Sequence, residues 1–142
     1  MPYIPFYSVC PQTAMEETKA ITIQDTNNEF GLPQGQYYFT ELFCDECDCR
    51  RVLLQVYLGQ EIVATIGYGW DKLSFYKKEF LVLGEKEIIS FKGPSLDIYQ
   101  TQSKSSNKIF NMYKKLLFSD KGYLDRIEKH YLQFRKVLEH YT

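Results

Sequence analysis

Histidine is scarce in this chain, and its scarcity narrows the chemistry that the chain can perform. The 142 residues include two histidines, His130 and His140, and both fall late in the sequence. A dyad of cysteine and histidine would therefore need the last predicted helix to reach a distant thiol. The sequence also lacks a serine-centred nucleophile elbow and a helical His-x-x-x-His pair. An enzyme is accordingly the minority hypothesis.

Long apolar runs and a strong net charge are absent as well. No run approaches membrane-spanning length, and the first residues lack the basic leader and apolar core of a secretory signal. We therefore expect a cytoplasmic protein with no membrane partner. The formal net charge of −1 provides no general attraction for nucleic acid, which makes a nucleic-acid partner the less favoured expectation.

Charge is nevertheless distributed unevenly along the chain. Residues 104–142 carry 9 Lys and Arg against 4 Asp and Glu, so this segment is basic. The simpler interpretation is a helical surface that packs beside an acidic sheet, and the alternative is a docking face for an acidic protein partner. The oligomeric state is left open by the sequence.

Aromatic side chains, in contrast, are abundant. They make up 16% of the residues, and hydrophobic residues together make up 44%. This composition is typical of a folded globular protein and excludes a disordered chain. At this length, residues 1–142 are predicted to form one domain, with a core large enough to fold without a metal.

The periodicity of apolar residues predicts an α+β fold, with an antiparallel sheet of hairpins followed by two C-terminal helices packed on it. Residues 1–19, which contain three prolines, are predicted to be an irregular N-terminal arm. Residues 20–91 are predicted to form the sheet, and residues 104–141 the helical pair. The last hairpin of the sheet is predicted from residues 80–83 and 87–91, on either side of a turn at Gly84.

Three of the four cysteines lie within six residues, at Cys44, Cys47 and Cys49. A Cys-x-x-Cys spacing directs two sulfurs at one ion, and a third sulfur two residues later can complete a tripod. Zinc prefers thiolate and imidazole ligands in a tetrahedron, so the sequence predicts a structural zinc site. The alternatives are an ordinary turn with reduced, idle thiols and a redox or nucleophilic cysteine site.

His130 is predicted as the fourth metal ligand, which would make a site of the Cys3His type. It lies at the edge of the apolar face of the last predicted helix, and packing of that helix could carry it to the cysteines. The alternative interpretation is a core histidine with satisfied hydrogen bonds. Cys10 and His140 are the other protein candidates, and a water molecule in the fourth position would open the site to catalysis.

Arg50 and Arg51 follow the cysteines directly. They are predicted to be a solvated pair at the start of a strand, with a recognition element as the alternative. Their charge could also offset that of several thiolates on one ion.

Two stretches together resemble a known group of proteins. The matching residues are Tyr38 through Phe43, Cys44, Cys47, Asp48, Cys49, Arg50, Arg51 and Val52, and later Tyr123, Leu124, Arg126, His130, Tyr131, Phe134 and Arg135. They are similar to a family of uncharacterised bacterial proteins with a Cys-x2-Cys-x-Cys-Arg-Arg motif. Some of these proteins are joined to the short zinc motif found at the C-terminus of the translocase motor SecA. The resemblance covers most of residues 37–141.

The resemblance implies that the cysteine-rich turn and the His-Tyr helix belong to one recurring unit. It implies no activity, because the family has none established. The SecA-type motif does not occur in these 142 residues, so a partner role carried by that motif is not transferred.

Three function classes follow from the sequence. The first is a zinc-binding, non-catalytic interaction module, and the second is a metal-dependent or thiol-based enzyme. The third is a nucleic-acid-binding zinc-knuckle protein. A closed site with four protein ligands would favour the first class, and an open metal position in a cleft would favour the second.

Overall fold

The computed structural model describes residues 3–17 and 19–140, and within them six strands form one antiparallel sheet. The strands are β1 (Tyr3–Pro5), β2 (Ala20–Ile23), β3 (Gly35–Cys44), β4 (Arg51–Leu58), β5 (Glu61–Gly69) and β6 (Ser95–Leu96). The helices are α1 (Phe6–Val9), α2 (Pro11–Glu16), α3 (Leu73–Glu79), α4 (Glu85–Lys92), α5 (Ser106–Leu116) and α6 (Lys121–His140). The predicted α+β class, with an antiparallel sheet and a C-terminal helical pair, is therefore confirmed.

The strand order is β1-β3-β4-β5-β6, and β2 pairs with the first half of β3. β1 pairs with the other end of β3, where Tyr3 lies opposite Cys44. On the far side of β3, Phe43 lies opposite Val52 of β4. The chain therefore leaves β3 at Cys44 and returns at Arg51, and the turn between them closes at one end of the sheet.

The core lies between one face of the sheet and the two C-terminal helices. Alternate residues of β4 point to this face and are fully buried, namely Val52, Leu54 and Val56. Their partners on the helices are spaced by three or four residues, as expected for one helix face. These helix residues are Ile109, Met112, Tyr113, Tyr123, Ile127 and Phe134. Tyr113 also donates a hydrogen bond from its hydroxyl to the Tyr37 carbonyl at 3.1 Å, which fixes α5 on β3.

The predicted hairpin after residue 79 is wrong. Residues 73–79 form α3, residues 85–92 form α4, and both segments were predicted to belong to the sheet region. Charge explains the difference, because Glu85 and Glu87 occupy the first turn of α4 and Lys92 occupies its last turn. Glu87 also accepts a hydrogen bond from the Gly84 amide at 3.2 Å, which satisfies one donor at the helix start.

The predicted irregular arm is also wrong for the described part of residues 1–19. It contains β1, α1 and α2. Pro11 begins α2, a position where the fixed φ of proline suits a helix and its missing N–H costs nothing. The remaining predicted residue of the helical pair, Tyr141, lies outside the described residues.

No helix in the described part of the chain combines the length and the apolar character needed to cross a membrane.

Candidate metal centre

The three clustered cysteines converge in the structure. Cys44 is the last residue of β3, and Cys47 and Cys49 lie in the turn that leads to β4. Their sulfur atoms all lie within 4.8 Å of one another, and the Cys44 and Cys47 sulfurs are 3.3 Å apart. Cys44 and Cys49 are buried and Cys47 is half-buried. This arrangement brings the predicted tripod together and could hold a metal ion.

The turn that carries the thiols ends in an unusual backbone conformation. Arg50 has a φ of 47°, in the left-handed region that residues other than glycine seldom occupy. Its carbonyl accepts hydrogen bonds from the Tyr76 hydroxyl at 2.6 Å and from the Trp70 amide at 3.3 Å. Tyr76 of α3 and Trp70, which follows β5, thus hold the turn at Arg50, next to Cys49.

Helix α6 fastens the turn from the other side. The Tyr131 hydroxyl donates a hydrogen bond to the Asp48 carboxylate at 2.5 Å. Arg135 donates to the Asp45 carbonyl at 3.0 Å and to the Tyr131 hydroxyl at 3.1 Å. Tyr131 and Arg135 are thus the residues that join helix α6 to the cysteine turn.

Burial keeps the thiols of Cys47 and Cys49 protonated when no cation is present. Burial raises the pKa of Cys47 to about 12, and its hydrogen bond with Cys44 and the charge of Cys49 add to this increase. Burial likewise raises the pKa of Cys49. A divalent cation between the sulfurs would reverse this effect, because coordinated thiols lose their protons.

His130 lies elsewhere, between two carboxylates. Its Nδ1 atom is 2.6 Å from a Glu41 oxygen, and its Nε2 atom is 2.5 Å from a Glu17 oxygen. Burial lowers the pKa of His130, but the hydrogen bonds and charges of Glu41 and Glu17 outweigh this effect and raise it overall. The groups close enough to share an ion comprise Cys44, Cys47 and Cys49 without His130.

As a metal ligand, His130 would have to give up one of these carboxylates. The alternative weighed from the sequence, a buried histidine with satisfied hydrogen bonds, describes what the structure shows. Cys10 is buried in the hydrophobic core, where burial raises the pKa of its thiol, and it is not part of the cysteine group. His140 is exposed at the end of α6 and is not part of the group either.

A cavity of about 290 Å³ adjoins the thiols. Its walls are formed by the cysteine turn and by helix α3 with the residue that follows it. The lining residues are Cys47, Asp48, Cys49, Arg50, Phe75, Glu79 and Phe80. Two of the three thiol-bearing residues therefore face a space large enough for a small molecule.

Arg50 lines this cavity and pairs with two carboxylates. Its guanidinium is 2.5 Å from the Asp71 carboxylate and 3.2 Å from the Asp48 carboxylate, and it lies over the Phe75 ring at 4.3 Å. Arg50 is partly exposed, as predicted for a solvated residue. Arg51 is not, because only 4% of its surface is exposed, so the prediction of a solvated pair is wrong for its second member.

The residues that support the thiols have no local signal in the sequence. Tyr131 and Arg135 lie more than 80 residues from the turn, and only the resemblance indicated that they belong with it. The cavity residues of α3 were missed because that segment was assigned to the sheet region. The adjacent Lys77 and Lys78, which occupy the last turn of α3, are the signal that could have indicated a helix end.

The chain matched no protein-family model, no curated protein and no solved structure.

Proposed function

We propose that this protein is a zinc-binding domain in which Cys44, Cys47 and Cys49 hold the ion. The observation that carries the proposal is the convergence of three sulfur atoms at one turn. Thiolates are the ligands that zinc favours in structural sites, and they select it over magnesium or calcium. The identity of the metal, a bacterial origin and a cytoplasmic location rest on the sequence and are part of this proposal.

A bound ion would act as a crosslink at one end of the sheet. It would tie the end of β3 to the turn that precedes β4, which already contains a left-handed residue at Arg50. Metal binding would offset the cost of that conformation and of placing three thiols in contact, because the free energy of binding contributes to folding.

Replacement of one thiol tests the proposal. Cys47→Ser should remove the metal, because a three-sulfur site loses a third of its donors, and should lower the melting temperature. The matched control is Cys10→Ser, which alters a buried cysteine outside the group. The measurement is elemental analysis of protein purified without a metal-affinity column, together with thermal unfolding.

We expect about one zinc per chain in the parent protein and in Cys10→Ser, and little in Cys47→Ser. Full zinc retention in Cys47→Ser, or loss in both variants, would contradict a site built on Cys44, Cys47 and Cys49. Absence of metal with four reactive thiols in the parent would leave an ordinary turn or redox chemistry.

A non-catalytic interaction module remains the accompanying proposal for the role of this domain. The observation that favours it is a pair of exposed apolar residues in the loop between α3 and α4. Leu81 and Val82 are 82% and 94% exposed and directly follow Phe80, which lines the cavity. Exposed apolar side chains that adjoin a cavity can form a patch that another protein binds.

Site-specific crosslinking tests this role. A photoreactive residue at position 82 should give a discrete crosslinked protein in cells, whereas the same residue at Leu132, an exposed position of α6, should not. Identical product patterns from the two positions would argue against a docking site at this loop.

A further inference from the structure

The cysteine group provides three of the four ligands that zinc usually takes. Among the described residues, the ligand atoms that lie within 4.8 Å of one another here are the three cysteine sulfurs, without a His, Asp or Glu atom. A zinc ion that has three protein ligands and a fourth position for another molecule is typical of sites that bind substrates. The question is what occupies that position.

The cavity beside Cys47 and Cys49 lies where a fourth ligand could enter. Cys44 is fully buried, so the group is closed on its inner side, whereas Cys47 is half-buried and faces the cavity. Phe75 and Phe80 supply apolar walls, and Glu79 supplies a carboxylate. This volume accommodates a few non-hydrogen atoms in addition to the ion.

We propose that the fourth position of the bound zinc faces this cavity and takes the sulfur of a small aminothiol. The inference rests on the proposed zinc site and specifies the chemical class of its ligand. The proposed ligand has two parts. Its sulfur binds the ion, and its cationic group lies against the cavity wall.

The sulfur follows from the ligand set. Zinc favours thiolate ligands, and a fourth sulfur beside Cys44, Cys47 and Cys49 would complete the four-thiolate tetrahedron that is common in zinc sites. A thiol that reaches the ion exchanges its S–H bond for a metal–sulfur bond, and the metal–water bond breaks. The proton leaves to solvent, and no electrons are transferred, so the step needs no oxidant.

The cationic group follows from the charges around the cavity. Zinc with three thiolates carries a net charge of −1. The charged residues of the cavity wall add Asp48 and Glu79 against Arg50, and Arg50 already contacts the carboxylates of Asp48 and Asp71. The positive charges of Arg51 and Arg135 also act on Cys49 and Cys44, but neither arginine lines the cavity. Within the cavity the negative charges outnumber the single guanidinium of Arg50, so an ammonium group is attracted and a carboxylate is repelled. The Phe80 ring also favours a cation, whereas the Phe75 ring is already covered by the Arg50 guanidinium.

Cobalt substitution tests the inference, because Co²⁺ takes zinc sites and reports its sulfur ligands by absorbance. Co²⁺ is added to the metal-free full chain, and the complex is then titrated with cysteamine, 3-mercaptopropionate or propylamine. We expect cysteamine to increase the sulfur-to-cobalt absorbance about 1.3-fold, since three sulfur ligands become four. The half-saturating concentration of 3-mercaptopropionate should be about tenfold higher, and propylamine should have no effect.

Glu79→Gln is the matched variant, because Glu79 is exposed and its replacement removes one charge from the wall without removing a thiol. It should narrow the difference between cysteamine and 3-mercaptopropionate and leave cobalt binding unchanged. A cobalt spectrum that changes in Glu79→Gln before any thiol is added would show that a protein carboxylate fills the position, and would overturn the inference.

The cobalt titration also distinguishes failure of the zinc site from failure of the open fourth position. If the chain binds no cobalt and no zinc, the proposed zinc site itself fails. If cobalt binds and cysteamine leaves the spectrum unchanged, or strips the metal from the protein, the zinc site stands and the open position is refuted. Equal responses to cysteamine and 3-mercaptopropionate would refute the cationic part of the ligand.

Discussion

A guanidinium is buried at the first residue of β4. Arg51 donates hydrogen bonds to the Phe91 carbonyl at 2.7 Å and to the Tyr3 hydroxyl at 3.2 Å, and its guanidinium lies 3.4 Å from the Asp97 carboxylate. It stacks on the Phe91 ring at 4.3 Å. The sheet makes room for it with Gly67, because a Cβ at that position would overlap the Arg51 side chain. A buried charge of this kind is tolerated only when hydrogen bonds satisfy it.

Gly67→Ala should therefore displace Arg51 and lower the free energy of unfolding by about 3 kcal/mol, as expected when a buried charge loses its partners. Gly59→Ala is the matched control. Gly59 has a φ of 66° and no neighbouring atom within 4 Å, so alanine there should cost only the backbone strain of about 1 kcal/mol. The measurement is urea-induced unfolding, and equal losses in the two variants would contradict the contact with Arg51.

At the scale of the element, α6 connects distant parts of the chain along one face. His130 reaches Glu41 of β3 and Glu17, the residue that follows α2, while Tyr131 reaches the cysteine turn. The Phe6 ring of α1 stacks on the His130 imidazole at 4.5 Å. Arg126, one turn earlier, lies 3.9 Å from Glu17, and the Tyr123 hydroxyl donates to Glu41 at 2.7 Å. The helix is thus fixed by charge as well as by its apolar stripe.

The pH dependence of stability follows from this contact. A protonated His130 donates to both carboxylates, whereas the neutral ring can donate to only one. Because the folded pKa of His130 is raised, its contribution to stability is complete below the unfolded value of about 6.5 and is lost as pH rises through the folded pKa. His130→Gln should flatten this decline. Urea unfolding at about pH 6 and about pH 9 checks it, and an unchanged decline in His130→Gln would contradict the assignment.

The elements that could be predicted from the sequence are those with strong local patterns. The alternation of β4 and the apolar stripe of α6 are visible without any partner, and so is the close spacing of Cys44, Cys47 and Cys49. Helix α4 was not predictable in this way, because Ile88 and Ile89 are β-branched and the capping contact of Glu87 with Gly84 decides the outcome. The surroundings of His130 depend on Glu17, which is 113 residues away, and no local signal indicates such a pair.

For the whole molecule, the core and the cysteine turn are separable. Phe43 contacts the rings of Phe6, Tyr131 and Phe134, so aromatic side chains from the two helices α1 and α6 pack the sheet end beside the turn. These contacts involve no thiol. The apolar cluster extends from this end to α5 and includes residues from every strand between β2 and β5. Such a core is sufficient for a stable fold at this chain length.

Metal removal should therefore weaken the fold without abolishing it. A strong chelator should lower the melting temperature, by about 4 °C for each 1 kcal/mol lost in a domain of this size, while the chain still unfolds in one cooperative transition. Far-ultraviolet and near-ultraviolet circular dichroism would follow the transition. Complete loss of the near-ultraviolet signal on chelation at room temperature would show that the metal is required for folding.

The path of the chain has a consequence for its synthesis on the ribosome. β3, β4 and β5 pair with strands that lie next to them in sequence, so this meander can form while later residues are still being translated. Its apolar face, however, is covered by α5 and α6, which emerge after all six strands. A nascent chain halted before residue 106 would expose Val52, Leu54 and Val56 to the cell, so translation pauses in this region should favour chaperone binding. The cysteine turn, in contrast, emerges before these helices, so the three thiols that could hold a metal ion are synthesised before the core closes.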